Sequence, residues 1–145
     1  MENYIDGKFI PPFHGNYLEN LNPAENIVIA QIPESTAEDV DLAVKSATNA
    51  QPIWSATPLN DRINWLRKIA AALDSRRSEI AMLESIDTGK PVKLAERVDA
   101  NRSVSNFTFF ADHAENLAEL RFEMADATNY VIREPVGIVG LITPW

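Results

Sequence analysis

The segment Val136-Gly137-Ile138-Val139-Gly140-Leu141-Ile142, apolar throughout and held between Pro135 and Pro144, constrains the fold more than any other stretch. A short unbroken apolar run between prolines reads as a strand buried on both faces, the habit of a parallel sheet covered by helices. Parallel neighbours are reached through crossovers of a dozen or more residues, so the run implies further strands of an α/β sheet. The chain has 145 residues and closes on Thr143-Pro144-Trp145, leaving no later strand to pair with 136–142. Earlier extended segments read as hairpins with connections of their own. The expectation is the N-terminal portion of a larger α/β protein, poorly folded or associated in isolation because an apolar strand stands without partners.

Upstream, Tyr4-Ile5 and Phe9-Ile10 flank Asp6-Gly7-Lys8, which predicts a tight hairpin, and Pro11-Pro12 stops its second strand. A second strand pair is predicted over Tyr17 to Leu21 and Ile27 to Ile32, ended by Pro33 and joined by a turn opened by Asn22-Pro23. Asn26 suits a left-handed conformation in that turn. From Ser35 the apolar period lengthens to that of a helix. Ser35 and Glu38 have capping-box spacing, Val40, Ala43, Val44 and Ala47 form a stripe, and Pro52 is expected to end the helix. The acidic residues Glu38, Asp39 and Asp41 favour the dipole of its first turn. Thr57-Pro58 starts a second helix with Ile63, Leu66, Ala70 and Leu73 on its buried face. Ile80 and Leu83 belong to a third, stopped at Asp87-Thr88-Gly89. Pro91 opens a fourth helical region to about Leu120, one helix or two in sequence, with Val104, Phe107, Ala111, Ala114 and Ala118 on one face. After Glu123 the pattern turns extended, and Asn129 to Arg133 alternates like a strand.

Composition narrows the chemistry. With 13 Lys plus Arg against 21 Asp plus Glu the net charge is -8, which repels phosphate backbones and anionic membrane faces. Nucleic acid and membrane are excluded as partners, and no apolar run approaches the length of a span or a secretion signal. A cytoplasmic protein is expected. The chain has no cysteine, which removes disulfides, Cys-based metal sites and any thiolate nucleophile. His14 and His113 are isolated from one another. Lys90 beside Gly89 lacks the glycine-rich run of a phosphate loop, and Gly137-Ile138-Val139-Gly140 lacks the spacing of a dinucleotide fingerprint.

The whole chain resembles the N-terminal third of the NAD(P)-dependent aldehyde dehydrogenase superfamily. The shared anchors include Tyr4-Ile5-Asp6-Gly7-Lys8-Phe9, Asn22-Pro23-Ala24, Trp54, Arg62, Leu83-Glu84, Asp87-Thr88-Gly89-Lys90-Pro91, Phe110-Ala111, Arg133-Glu134-Pro135-Val136-Gly137 and Ile142-Thr143-Pro144-Trp145, all in order. Within that superfamily, Arg102 to Phe107 continued by Phe109-Phe110-Ala111 resembles the muconic semialdehyde branch. Asn26 departs from the usual Gly in the turn after Asn-Pro-Ala.

The resemblance implies an α/β fold: part of a Rossmann-type cofactor domain over 1–122 and 136–145, helix-rich with β-hairpins and the first buried sheet strand. Residues 123–135 would be part of an arm that joins a partner subunit's sheet in a homo-oligomer. By pattern alone they are an ordinary strand of the same domain. Ile142, Thr143, Pro144 and Trp145 would border an NAD or NADP cofactor, or else merely terminate the strand. Leu21, through its carbonyl, and Asp99 match positions that hold a monovalent cation in some members, although an Asp on an amphipathic helix is usually just solvated. The family oxidises an aldehyde through a thiohemiacetal on a Cys, and no such Cys is in this chain. The full-length activity implied is therefore that of an aldehyde dehydrogenase, with this chain alone inactive. The alternative is a truncated, catalytically inactive paralogue acting as a structural or oligomerisation module, and an open reading frame continuing past codon 145 separates the two.

Overall fold

The computed structural model describes residues 1–118 and 120–143. It opens with two antiparallel hairpins. In the first, β1 (Asn3–Ile5) pairs with β2 (Lys8–Ile10), and Tyr4 lies opposite Phe9 with ring centroids 5.0 Å apart. Asp6 and Gly7 both take positive φ, at 55° and 73°, as a two-residue hairpin turn of matching twist requires. In the second hairpin, β3 (Tyr17–Asn22) pairs with β4 (Ile27–Pro33), and Asn26 adopts the expected left-handed conformation with φ 57°. Between Asn20 and Leu21 the register shifts: Asn20 faces Ala30 while Leu21 faces Val28, so Ile29 is an extra residue on β4, a β-bulge. The buried Asn22 closes the turn, its side-chain oxygen accepting the Ala24 N–H at 2.9 Å and its carbonyl the Asn26 N–H at 2.7 Å.

The first helix, α1, spans Ala37–Ala56. Its cap lies one residue later than the Ser35 and Glu38 spacing implies. Thr36 is the N-cap, and its N–H donates to the Asp39 carboxylate at 2.9 Å. Thr and Asp at the same separation do the work of Ser and Glu. Nor does Pro52 end the helix, which continues to Ala56. A proline removes one N–H and leaves one carbonyl of the preceding turn without its bond. The last turn carries two further bonds, from Ser55 Oγ to the Pro52 carbonyl and from Thr57 Oγ1 to the Ile53 carbonyl. Of the predicted stripe, Val40, Ala43 and Val44 stay exposed and Ala47 is half-buried, because among the described elements only the short β1 packs against α1.

Helix α2 (Leu59–Ser75) follows from Pro58, which takes the cap position expected of Thr57, and it buries the predicted Ile63 and Ala70. Helix α3 (Arg77–Thr88) ends at Gly89, left-handed at φ 74° as the sequence anticipates. The buried residue of α3 is Ala81; Leu83 faces solvent. Beyond Pro91 a single helical stretch comprises α4 (Val92–Leu94), a π segment (Ala95–Ala100) and α5 (Asn101–Glu115). It stops short of the Leu120 boundary drawn from sequence. Leu120 instead opens a third hairpin, β5 (Leu120–Glu123) with β6 (Thr128–Val131).

The core sits among the helices. Helix α5 lies along α2, and Ala81, Ala95 and Ala100 bring α3 against the π segment, with Ile80 beside them. Exposed ion pairs from Arg67 of α2 to Asp112 and Glu115 of α5, at 3.0 and 2.6 Å, add a lateral tie. The residues 136–142, read from sequence as a buried strand, form no strand here: Val136, Leu141 and Ile142 are 92, 86 and 97% exposed. A strand buried on both faces needs strands at its edges and helices over its faces, and no described strand pairs with 136–142. The accessible surface is 11418 Å², whereas a folded monomer of 16.2 kDa exposes about 7,500 Å². No helix among the described residues is long and apolar enough to cross a membrane.

Asp39 ties the first hairpin to α1. Although buried, its carboxylate accepts the Thr36 N–H, the Phe13 N–H at 2.9 Å and the Asn3 side-chain amide at 3.1 Å. The hydrogen bond from the Thr36 backbone leads these donors in holding its carboxyl below the usual carboxylate range, against the opposing effect of burial. Because the folded-state value is depressed, the stabilisation is fully present above the unfolded value, about pH 4, and is lost as pH falls through the folded one. Asp39→Asn should therefore lower the thermal midpoint of the wild-type chain at pH 7 and leave a smaller difference at pH 3, as followed by circular dichroism.

Candidate functional site

Of the four residues expected at a cofactor edge, Ile142 and Thr143 are exposed, while Pro144 and Trp145 lie outside the described residues. No other described segment faces Ile142 closely enough to bury it. A dinucleotide needs an enclosing surface with a few convergent polar groups, and 142–143 supply only a backbone edge. The described part of this segment, residues 142–143, does not by itself enclose a cofactor.

The two residues considered for a cation are placed differently. Leu21 sits in β3 just past the bulge, facing Val28. Asp99 lies in the π segment, and its carboxylate is taken by the ammonium of Lys90 at 2.9 Å. Lys90 also donates to Glu84 at 2.7 Å. The pairings with Glu84 first and Asp99 second raise the lysine above its ordinary value, so it stays charged. A resident ammonium already neutralises the carboxylate that a cation would use. Among the described residues no group of three or more His, Cys, Asp or Glu side chains is arranged to hold a metal ion. His14 approaches Glu38 at 3.8 Å and His113 stacks on Phe109, with centroids 6.0 Å apart, so neither belongs to a catalytic constellation.

What the structure does assemble is a joint at Asp87-Thr88-Gly89-Lys90-Pro91. Asn20 of β3 donates to Asp87 at 2.6 Å, and Pro23 of the β3–β4 turn packs on Gly89. Ser85 Oγ donates to the Lys90 carbonyl at 2.5 Å and Thr88 Oγ1 to the Glu84 carbonyl at 2.6 Å, which fastens the end of α3. From this loop Lys90 reaches α3 and the π segment together. Sequence reading singled out Gly89 and Pro91 as helix punctuation and dismissed Lys90 as a phosphate ligand, but it missed the joint. The only trace of it was a lysine flanked by Glu84 and Asp99, six residues before and nine after, which is no regular spacing.

Comparison with known proteins agrees with the architecture. The sequence matches the profile of the Aldehyde dehydrogenase family over residues 9–145. The 2-aminomuconic semialdehyde dehydrogenase of Danio rerio is 39% identical, with 100% of this chain and 30% of that protein aligned. The aminoaldehyde dehydrogenase 2 of Solanum lycopersicum is 41% identical over 98% of this chain and 29% of that protein. Among solved structures, PnpE from Pseudomonas sp. WBC-3 superimposes with a TM-score of 0.84 at 33% identity, covering 93% of this chain and 28% of that one. The chain thus spans about three-tenths of the length of these relatives. A family match over residues 9–145, with relatives 39 and 41% identical along nearly the whole chain, is the signature of common descent: the chain belongs to the aldehyde dehydrogenase family.

Proposed function

We propose that this chain is the N-terminal part of a cytoplasmic NAD(P)-dependent aldehyde dehydrogenase that oxidises an aldehyde to a carboxylic acid. Residues 1–122 and 136–145 contribute to its cofactor domain, and residues 123–135 belong to an arm that joins subunits in a homo-oligomer. The observation that carries the reading is the family match from residue 9 to 145, which takes up about 30% of the aligned relative. The exposed surface supports it, since roughly a third of the area lies beyond what a folded monomer of this mass leaves in water. Arg62 supports it too: its Nε is buried and has no hydrogen-bond partner among the described residues. A buried donor of this kind ordinarily finds an acceptor.

The division of labour follows from the residues present. Aldehyde oxidation of the family kind requires a thiolate that adds to the carbonyl carbon, and a chain with no cysteine cannot provide it. The nicotinamide cofactor, when bound, accepts the hydride. This chain's share is positional: the joint at Asp87 to Pro91 ties the second hairpin to α3, and the α2–α5 pair carries the chain on to the third hairpin. The hairpin's outer edges are open to strand addition, which suits a subunit contact. A semialdehyde is the substrate class favoured by the relatives named for muconic semialdehydes, 36–39% identical to this chain. PnpE has been solved with nicotinamide adenine dinucleotide, which favours NAD as the cofactor.

The purified 145-residue chain is expected to give no aldehyde-dependent rise in NADH absorbance with either NAD or NADP. Co-expression with a polypeptide carrying the remainder of a related aldehyde dehydrogenase should yield a complex that co-purifies. Reproducible turnover by the chain alone would overturn the reading, as would failure of the two polypeptides to associate.

A further inference from the structure

The stretch from Val92 to Glu115 is one continuous helix that has to serve two partners. Its first part packs on α3 and its last part on α2. Ala95 and Ala100 are both buried against Ala81 of α3, at 0 and 1% exposure. In a regular α-helix residues five apart point about 140° away from each other, so one of these two alanines would leave the interface. The π segment resolves the conflict, because its i→i+5 hydrogen bonds place Ala95 and Ala100 one above the other. Past Ala100 the spacing returns to three and four, with Val104, Phe107, Ala111 and Ala114 turned inward beside α2. The π segment is thus a one-residue change of register that lets a single helix present one face to α3 and another to α2.

Regular α-helix is the default for these residues, so something must hold the wider turn. We infer that Lys90 is the clasp of the π segment: its ammonium bridges Glu84 on α3 and Asp99 inside the segment, fixing the register of the helix that follows. The distances of 2.7 and 2.9 Å make both contacts direct, and all three side chains are partly shielded from water. The Asp99 backbone is secured as well, its carbonyl accepting Ser103 Oγ at 2.9 Å. The lysine is itself fixed, following left-handed Gly89 and preceding Pro91, with its carbonyl held by Ser85. Removing the ammonium would remove both contacts by which Lys90 ties α3 to the π segment. Lys90 acts here as a positioning residue, and the inference stands whether or not the assignment to aldehyde oxidation does.

Amide hydrogen exchange on the full chain tests it. Lys90→Met keeps the side-chain length and removes the charge. Amides 96–103 should then exchange about tenfold faster or more, while amides 105–114, held by α2 and the Arg67 ion pairs, should change by less than about threefold. Lys90→Arg, which can bridge two carboxylates, should restore the protection. Unchanged exchange at 96–103 in Lys90→Met would overturn the inference, and so would uniform acceleration along the chain, which would mark a general loss of stability. Recovery of slow exchange in the triple variant Lys90→Met, Glu84→Gln, Asp99→Asn would also overturn it, because relief of repulsion rather than a bridge would then account for the effect.

Discussion

Gly89→Ala is expected to cost about 3 kcal/mol, made up of a left-handed residue with a Cβ and a steric clash, and to lower the midpoint of helix melting by about 10 °C. Two effects coincide at this position. Its φ of 74° is one that side-chain-bearing residues rarely adopt, and an added Cβ would lie 2.9 Å from Pro23 Cγ. That carbon belongs to a ring closed on its own backbone, in a turn fixed by Asn22, so it cannot swing aside as a flexible chain end would. Gly7 provides the control. It has nearly the same φ, 73°, with nothing within 4 Å of the added carbon, so Gly7→Ala should cost only the conformational part, about 1 kcal/mol. Thermal loss of the far-ultraviolet helical signal compares the two variants and reports the helices whatever the state of association. Equal shifts for both would mean that the Pro23 contact contributes nothing.

Ala81→Leu should have the next largest effect. Ala81 is fully buried, and its neighbours across the contact, Ala95 and Ala100, are equally small and equally buried. Such a contact brings two helix backbones close together, and the added branched group has no space to enter. Overpacking of this kind costs about 1–3 kcal/mol. Leucine is as good a helix former as most residues, so the loss would come from packing rather than propensity. Met82→Leu, one residue along and exposed, should be neutral by the same melting measurement. If both variants melted like the parent, α3 and the π segment would not be in close contact.

Local signals in the sequence told most where a residue's backbone preference or burial decided its structure without help. Asp6-Gly7 made a hairpin because two adjacent residues tolerate positive φ, Gly89 ended α3 for the same reason, and Ile63 and Ala70 are buried where the apolar period put them. Pro52 misled because a proline costs a helix one backbone bond without obliging it to stop, and the turn beyond it is fastened by Ser55 and Thr57, which carry no mark of that role in advance. The run 136–142 misled for a different reason: its composition specifies an environment, and that environment is not supplied by the described residues. The candidate site divides in the same way. Ile142 and Thr143 could be named from resemblance but not given a pocket. Asp99 could be named as an acid, while its partner Lys90 emerged only from the fold, through contacts between residues without periodic spacing.

The bulge at Ile29 bears on how relatives of this chain can vary in length. Side chains on a strand alternate between faces, so removing a single residue exchanges inside for outside along everything that follows, up to the next point where the alternation resets. Ile29 is such a point: β4 carries one residue more there than β3 opposite it, and Ile29 and Ala30 are consecutive yet both half-buried. Loss of Ile29 alone would leave Ala30 opposite Asn20 and Val28 opposite Leu21 as consecutive pairs, so the ladder would become regular and the turn would keep its Gly89 contact at Pro23. Over evolutionary time a hairpin so arranged should gain or lose residues in pairs within its strands, the bulge position excepted. Single insertions and deletions should instead collect in the exposed turn between Pro23 and Asn26.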